Sequence, residues 1–138
     1  MIAYVDSSVL LRLVLRQPGA LAEWSLVEEG VTSALTQVEC LRTLDRLRIV
    51  ERISDQALAS RREAIFGIIA TLSVVDVAGA VLDRAAQPLP TALGTLDAIH
   101  LATAQLWCER SAAALTMATH DAALATAARS LGMPIVGA

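Results

Sequence analysis

The sequence contains no lysine; all 11 of its cationic side chains are arginines. That absence removes lysine Schiff-base chemistry, a phosphate loop built on a lysine, and any step that needs a lysine ammonium. Aromatic residues make up 3% of the 138 positions, which argues against an all-β barrel and favours packed helices rich in Ala and Leu. Cysteines number two, Cys40 and Cys108, with no metal-type spacing. They read as reduced, buried thiols of a cytosolic protein, a single disulfide being the less favoured alternative. Long apolar runs are missing too. The longest stretches free of Asp, Glu, Lys and Arg are 64–75 and 85–96, 12 residues each, against about 20 for a membrane-spanning helix. The opening MIAYVDSSVLLRLVLR carries an acid at position 6 and no basic leader, a poor secretion signal, so the expected location is the cytoplasm.

Apolar residues reach 55% and charged ones 18%, which excludes a disordered chain. The length suits one domain, 1–138. A net charge of −3 offers no global attraction to nucleic acid, so any such binding requires a local arginine patch.

Residues 2–5 (IAYV) form a short β-prone run ending at Asp6, and VLLRLVL after Ser8 looks helical, closed by Gln17-Pro18-Gly19. Residues 20–29 read as a short helix stopped by Gly30, and 31–34 as a second strand. Leu35, Val38, Leu41, Leu44 and Leu47 recur every third position, giving a helix with one apolar face. Ser54 caps a further helix to about Ala70; residues 72–75 form a third strand, and a helix follows Asp76 near 77–86. The segment 87–94 (QPLPTALG) is a loop, after which Thr95 caps an apolar helix from 96 to about 110. Residues 113–117 make a fourth strand, 121–131 a helix ended by Gly132 and Pro134, and Ile135–Val136 a fifth strand. Short apolar strands alternating with helices describe an α/β fold with a mostly parallel central sheet of four to five strands.

In such sheets ligands bind at the carboxyl ends of the strands. Asp6 follows strand one directly, Glu39 lies early in the helix after strand two, Asp97 in the first turn of the apolar helix, and Asp121 just beyond strand four. Each has a plain structural explanation. Asp6 and Asp121 suit helix N-caps, Asp97 suits a helix dipole, and Glu39 can pair with Arg42. Four clustered carboxylates, however, repel one another, and a hard divalent cation such as Mg²⁺ or Mn²⁺ removes that cost. His100 and His120 lie close to Asp97 and Asp121 in sequence without a role that the spacing decides. Asp55 and Asp76 look like helix-start residues, and the remaining acids like solvated helix faces.

Four segments carry a resemblance: YVDSSVLLRL (4–13), TQVECLRTL (36–44), TLDAIHLATA (95–104) and ATHDAALATAARSLGMPIV (118–136). In order and spacing the chain resembles the PIN-domain ribonucleases, specifically the VapC-type toxins of type II toxin–antitoxin modules. The resemblance implies a three-layer α/β/α fold and an acidic Mg²⁺ or Mn²⁺ pocket whose acids map to Asp6, Glu39, Asp97 and Asp121. The last of these is the family's most variable acid. It also implies a hydroxyl beside the first acid, matched here by Ser7 or Ser8; Thr95 is a further hydroxyl candidate beside Asp97. The implied activity is metal-dependent endonucleolytic cleavage of tRNA or rRNA. The implied partners are a second copy of the chain and a VapB-like antitoxin.

The metal would activate water and neutralise charge growing on the phosphate, so the missing lysine is no obstacle. RNA contacts fall to arginines: Arg42 and Arg46 lie at i+3 and i+7 from Glu39, with a salt-bridge lattice to Glu39 or Asp45 as the alternative. Arg12 and Arg16 form a second pair, suited to RNA or to an acidic partner. Trp24 and Trp107 suit packing better than base stacking. A haloacid-dehalogenase-like phosphatase is disfavoured, because Ser8 stands where it needs a second Asp and lysine is absent; a receiver domain fails on the same lysine. A catalytically silent PIN fold that only binds RNA or protein is the remaining alternative.

Overall fold

The computed structural model describes residues 1–138. Ile2–Val5 form strand β1, with Tyr4 facing one side of the sheet and Ala3 and Val5 the other. Asp6 ends the strand and starts helix α1 (Ser7–Val14), its Oδ1 accepting the Val9 N–H at 3.2 Å. Strand β2 (Glu29–Ser33) leads into α2 (Ala34–Glu51), with Ser33 Oγ accepting the Leu35 N–H. Ser54 caps α3 (Asp55–Ile69) as expected, accepting from Ala57 N at 3.1 Å. Strand β3 (Ser73–Val75), α4 (Gly79–Ala85), α5 (Thr95–Ser111), β4 (Thr116–Ala118), α6 (Ala122–Ser130) and β5 (Ile135–Val136) complete the chain.

The five strands run parallel in the order β3-β2-β1-β4-β5. The chain winds outward from β1 to β2 and β3, then crosses back to lay β4 on the other side of β1. The strand order therefore reverses between β1 and β4, and sheets of this kind take their ligands at that point, outside the carboxyl ends. One apolar layer joins Val5, Val9 and Leu10 to Cys40 and Leu44 of α2 and Ile65 of α3. The opposite layer joins Tyr4 and Val31 to Leu101 of α5, Met117 of β4 and Leu124 of α6. Both sheet faces are covered, giving the expected three layers. Trp24 and Trp107 pack against these two layers respectively. Both cysteines are free thiols. No helix is long and apolar enough to cross a membrane.

Three local expectations need correction. Residues 20–29 do not form an α-helix; a five-residue 3-10 turn (Ala22–Leu26) stands there, and Glu29 already belongs to β2. Gly30 lies inside that strand instead of stopping a helix. A Cβ on Gly30 would sit 2.3 Å from Leu72 Cδ2, so the bare glycine lets Leu72 lie against the strand. At α5 the N-cap is Gly94, with no side-chain cap, and Thr95 is already the first helical residue. The helix after Asp76 starts at Gly79 with Ala78 as N-cap, so Asp76 precedes the helix without capping it.

Candidate active site

Asp6 is the most enclosed acid of the site, 4% exposed, and each of its oxygens is held. Oδ1 accepts from Ser8 Oγ at 2.6 Å and from Val9 N, while Oδ2 accepts from Thr119 Oγ1 at 2.7 Å. Burial pushes the Asp6 carboxyl above its ordinary range, against the hydrogen bonds from Ser8 and Thr119, the nearby His100 and the Val9 N–H, which all pull it down. Thr119, the first residue beyond β4, also accepts the Asp121 N–H at 2.9 Å, and the His120 N–H donates to Ser8 Oγ at 2.9 Å. With the backbone bond from Asp6 N to the Ala118 carbonyl at 3.3 Å, the Thr119–Asp6 and His120–Ser8 bonds sew the end of β4 to the end of β1.

Asp121 caps α6 with Oδ1, which accepts the Leu124 N–H at 2.8 Å, leaving Oδ2 without a protein partner. Asp97 lies half-buried in the first turn of α5, and no hydrogen-bond donor reaches its carboxylate. Its carboxyl is raised above the ordinary range, first by burial and then by the Asp121 carboxylate, with Asp6 and Glu39 adding to the effect and His100 opposing it. The four acids expected from the sequence therefore act on one another across a shared space. No arginine forms an ion pair with any of them.

Glu39 reaches from α2 over the strand ends to His100 of α5. His100 Nε2 stands 2.5 Å from Glu39 Oε1, and Nδ1 stands 2.7 Å from the Tyr4 hydroxyl. The expected Glu39–Arg42 pair is absent; Arg42 instead holds Asp45 at 2.9 Å. Tyr4 is fully buried, and burial followed by the Asp6 and Glu39 carboxylates raises its phenol well above the ordinary value, so it keeps its proton.

Of the hydroxyl candidates, Ser8 touches an acid. The Ser7 hydroxyl has no such contact, and its carbonyl meets Cys40 Sγ at 3.9 Å. Thr95 is exposed at the start of α5. Arg42 and Arg46 lie exposed on α2, the latter donating to Thr43 Oγ1 at 3.1 Å. Arg12 donates to the Gly19 carbonyl at 3.3 Å, and Arg16 follows the far end of α1 with φ 50°. The His120 ring turns to the C-terminal tail, Nδ1 lying 2.7 Å from the Gly137 carbonyl.

Sequence reasoning missed Thr119 and Tyr4 and left His100 without a role. For Thr119 a signal was present: a hydroxyl residue at the end of β4, two positions before the acid that starts the next helix. The Tyr4–His100 contact spans 96 positions and has no local signature.

The donor set is chemically suited to a hard cation: four carboxylates, no thiolate, and free oxygens on Asp97 and Asp121. No three of these side chains converge to direct-ligand distance. A cation that keeps several waters fits such a spacing better than one that needs a closed protein cage.

The family description "PIN domain" matches residues 3–130. Over 137 residues the chain is 36% identical to Ribonuclease VapC46 of Mycobacterium tuberculosis, covering 96% of this chain and 95% of the relative. Among solved structures, FitAcB from Neisseria gonorrhoeae superposes with a TM-score of 0.72 at 20% identity, covering 98% of this chain and 96% of the other. A toxin–antitoxin complex from Klebsiella pneumoniae contains a chain that superposes at 0.62 and 20% identity, covering 86% of each. A doubly wound sheet with four carboxylates at its switch point and a near full-length match to a VapC protein lead to one assignment: the chain belongs to the PIN-domain family, and within it to the VapC type.

Proposed function

We propose that the protein is a VapC-like endoribonuclease toxin that hydrolyses phosphodiester bonds in tRNA or rRNA with the help of Mg²⁺ or Mn²⁺. The observation that carries this reading is the gathering of Asp6, Glu39, Asp97 and Asp121 at one strand edge with no arginine paired to any of them. When bound, a divalent cation supplies the missing positive charge, activates water and neutralises charge on the phosphate.

The residues that would hold it are Asp6 and Asp97, with Glu39 and Asp121 completing the site directly or through water. Ser8 and Thr119 fix both oxygens of Asp6, so that its orientation does not depend on the ligand. The helix caps at Asp6 and Asp121 fix the acids against α1 and α6 in the same way. Hydrolysis forms a bond from water oxygen to phosphorus and breaks the bond to a ribose oxygen, which leaves with a proton. Asp97, which lacks any donor of its own, is the acid best placed to accept a proton or a polar ligand without breaking a hydrogen bond. Arg42 and Arg46 are the proposed phosphate contacts beyond Glu39, and Arg12 and Arg16 a second pair at the far end of α1. The Klebsiella neighbour is a toxin–antitoxin complex, and we infer that this chain too meets a VapB-like antitoxin, as a homodimer.

The test is cleavage of total tRNA by antitoxin-free protein with Mg²⁺ or Mn²⁺, with EDTA, and with Asp97→Asn. Discrete fragments that disappear with EDTA and with Asp97→Asn are expected. Cleavage that survives either treatment overturns the assignment of the site.

A further inference from the structure

Tyr4, His100 and Glu39 form a hydrogen-bonded chain that runs from the core to the acidic site, through three elements and both helical layers. We propose that His100, backed by Tyr4, is a positioning residue that holds Glu39 in its metal-facing orientation. This inference rests on the metal-dependent reading above.

The polarity of the chain follows from its chemistry. A carboxylate only accepts hydrogen bonds, so the proton at the Glu39 contact sits on His100 Nε2. At the other end of the ring Nδ1 meets the Tyr4 hydroxyl at 2.7 Å. Both ring nitrogens thus have a partner, and the ring's orientation is set from the buried end. The ring is 1% exposed and meets Tyr4 edge-on, with centroids 5.9 Å apart and planes at 70°. It has no room to swing away.

Glu39 has no comparable constraint of its own. It stands on α2, beside exposed positions, on a flexible side chain that is 20% exposed. Left alone, such a side chain samples many rotamers, and ordering it carries an entropic cost. The His100 contact fixes Oε1 and leaves Oε2 without a protein partner. Asp97 and His100 are three positions apart on α5 and share one face. One helix therefore presents an acid of the site and the brace for another, which ties the two acids to a common frame although α2 and α5 lie on opposite sides of the sheet. Partners of metal-binding side chains act in this way, and their loss typically costs 10–100-fold in affinity.

The test is calorimetric titration of the full-length, EDTA-stripped protein with Mn²⁺, without RNA, for wild type, His100→Leu, His100→Gln, Tyr4→Phe and Glu39→Gln. Unfolding in EDTA is measured alongside. His100→Leu is expected to raise the Mn²⁺ Kd by about 10–100-fold and His100→Gln, whose amide still reaches Glu39, to restore most of the affinity. Tyr4→Phe should weaken binding by a smaller factor, and the double variant His100→Leu/Glu39→Gln should bind no worse than Glu39→Gln. A purely structural histidine would lower the melting temperature and leave Kd unchanged in the folded protein; that result overturns the proposal. Should His100→Leu fail to fold, an unchanged Kd in Tyr4→Phe, together with wild-type binding, would overturn it equally. Wild type that binds no Mn²⁺ removes the metal-dependent reading itself, and this inference with it.

Discussion

Thr119→Val isolates the hydroxyl that joins β4 to the first acid. The side chain is fully buried, and valine keeps its volume while removing one donor and one acceptor. The lost bond to Asp6 Oδ2 goes to a carboxylate, and such bonds contribute about 1.5–3 kcal/mol. Because Asp6 is almost fully enclosed, water cannot replace the donor, and the upper half of that range applies. The Asp121 N–H also loses its acceptor. Asp121 is half-buried, so this adds about 1 kcal/mol, the low end for an unpaired donor. The extra methyl group recovers somewhat less than 1 kcal/mol. Thr119→Val should therefore destabilise the metal-free protein by roughly 3 kcal/mol near pH 7.5, a large share of the 5–15 kcal/mol of an ordinary domain.

The cost should depend on pH. The Thr119 bond lowers the Asp6 carboxyl, so removing it raises further a group that burial has already raised. A variant with the higher folded value loses more stability as pH rises, and its deficit shrinks as pH falls through the folded Asp6 value. Urea unfolding in EDTA at several pH values, with Thr119→Ser as the hydroxyl-keeping control, measures both effects. A deficit below about 0.5 kcal/mol, the range of an uninvolved substitution, or one equal to that of Thr119→Ser, refutes the reasoning.

Asp97→Asn should abolish RNA cleavage yet stabilise the metal-free fold, by about 0.5 kcal/mol given that Asp97 is partly solvated; a stability loss in urea unfolding would contradict the repulsion described here. Folded Asp6 and Asp97 both bind their protons more tightly than ordinary carboxyls. Their contribution to folding is therefore greatest at acid pH and is lost as pH rises through the folded values, so the metal-free melting temperature should fall on approaching neutrality, apart from other titrations. Mg²⁺ should offset that loss by about 2.7 kcal/mol at 100 times its Kd, and an Mg²⁺-insensitive melting temperature would exclude tight binding. The Cys40 thiol is buried and raised to about 12, chiefly by burial and then by Glu39 and Asp6, so alkylation near pH 8 should label Cys108 far ahead of Cys40; mass spectrometry of digested protein reads this directly.

What was legible in the sequence was whatever is written locally. Asp6 stands where a β-prone run meets a helical one, so both its place at a strand end and its capping role follow from neighbouring residues. Asp121 reads the same way, and Ser54 marks the start of α3. Gly30 misled because its reason lies in Leu72, some 40 positions away, against which the bare backbone packs. The 3-10 turn at Ala22–Leu26 misled because Ala, Glu and Leu favour a helix, while β2 needs Glu29 in register with Ile2. For the site, Asp6, Asp97 and Asp121 could be placed because they stand at a strand end or a helix start, while Glu39, inside α2, stood out only beside the other acids and in the resemblance. What holds them was not visible: Thr119 binds Asp6 across 113 positions and His100 binds Glu39 across 61. Such partners become apparent only once the sheet order is known.

Capping alone does not account for these acids, even though Asp6 and Asp121 do cap helices. A carboxylate whose whole role is to satisfy a helix N-terminus sits in a favourable field, with backbone N–H groups and the positive end of the dipole lowering its pKa. Asp6 receives that help, together with two hydroxyl donors, and is still raised, because the fold encloses it far more deeply than a cap requires. Asp97 stands in the first turn of α5, where the dipole should favour its charge, and is raised by burial and by three other acids. Helix N-termini thus temper the repulsion among the acids without cancelling it. A fold that gathers four carboxylates, holds Asp6 with Ser8 and Thr119 and Glu39 with His100, and pairs no arginine with any of them leaves their charge unbalanced by arginine. On the metal-dependent reading proposed above, the metal-free protein is the less stable form of the site. The opposite signs expected for Asp97→Asn, a gain in stability and a loss of cleavage, follow from that one arrangement.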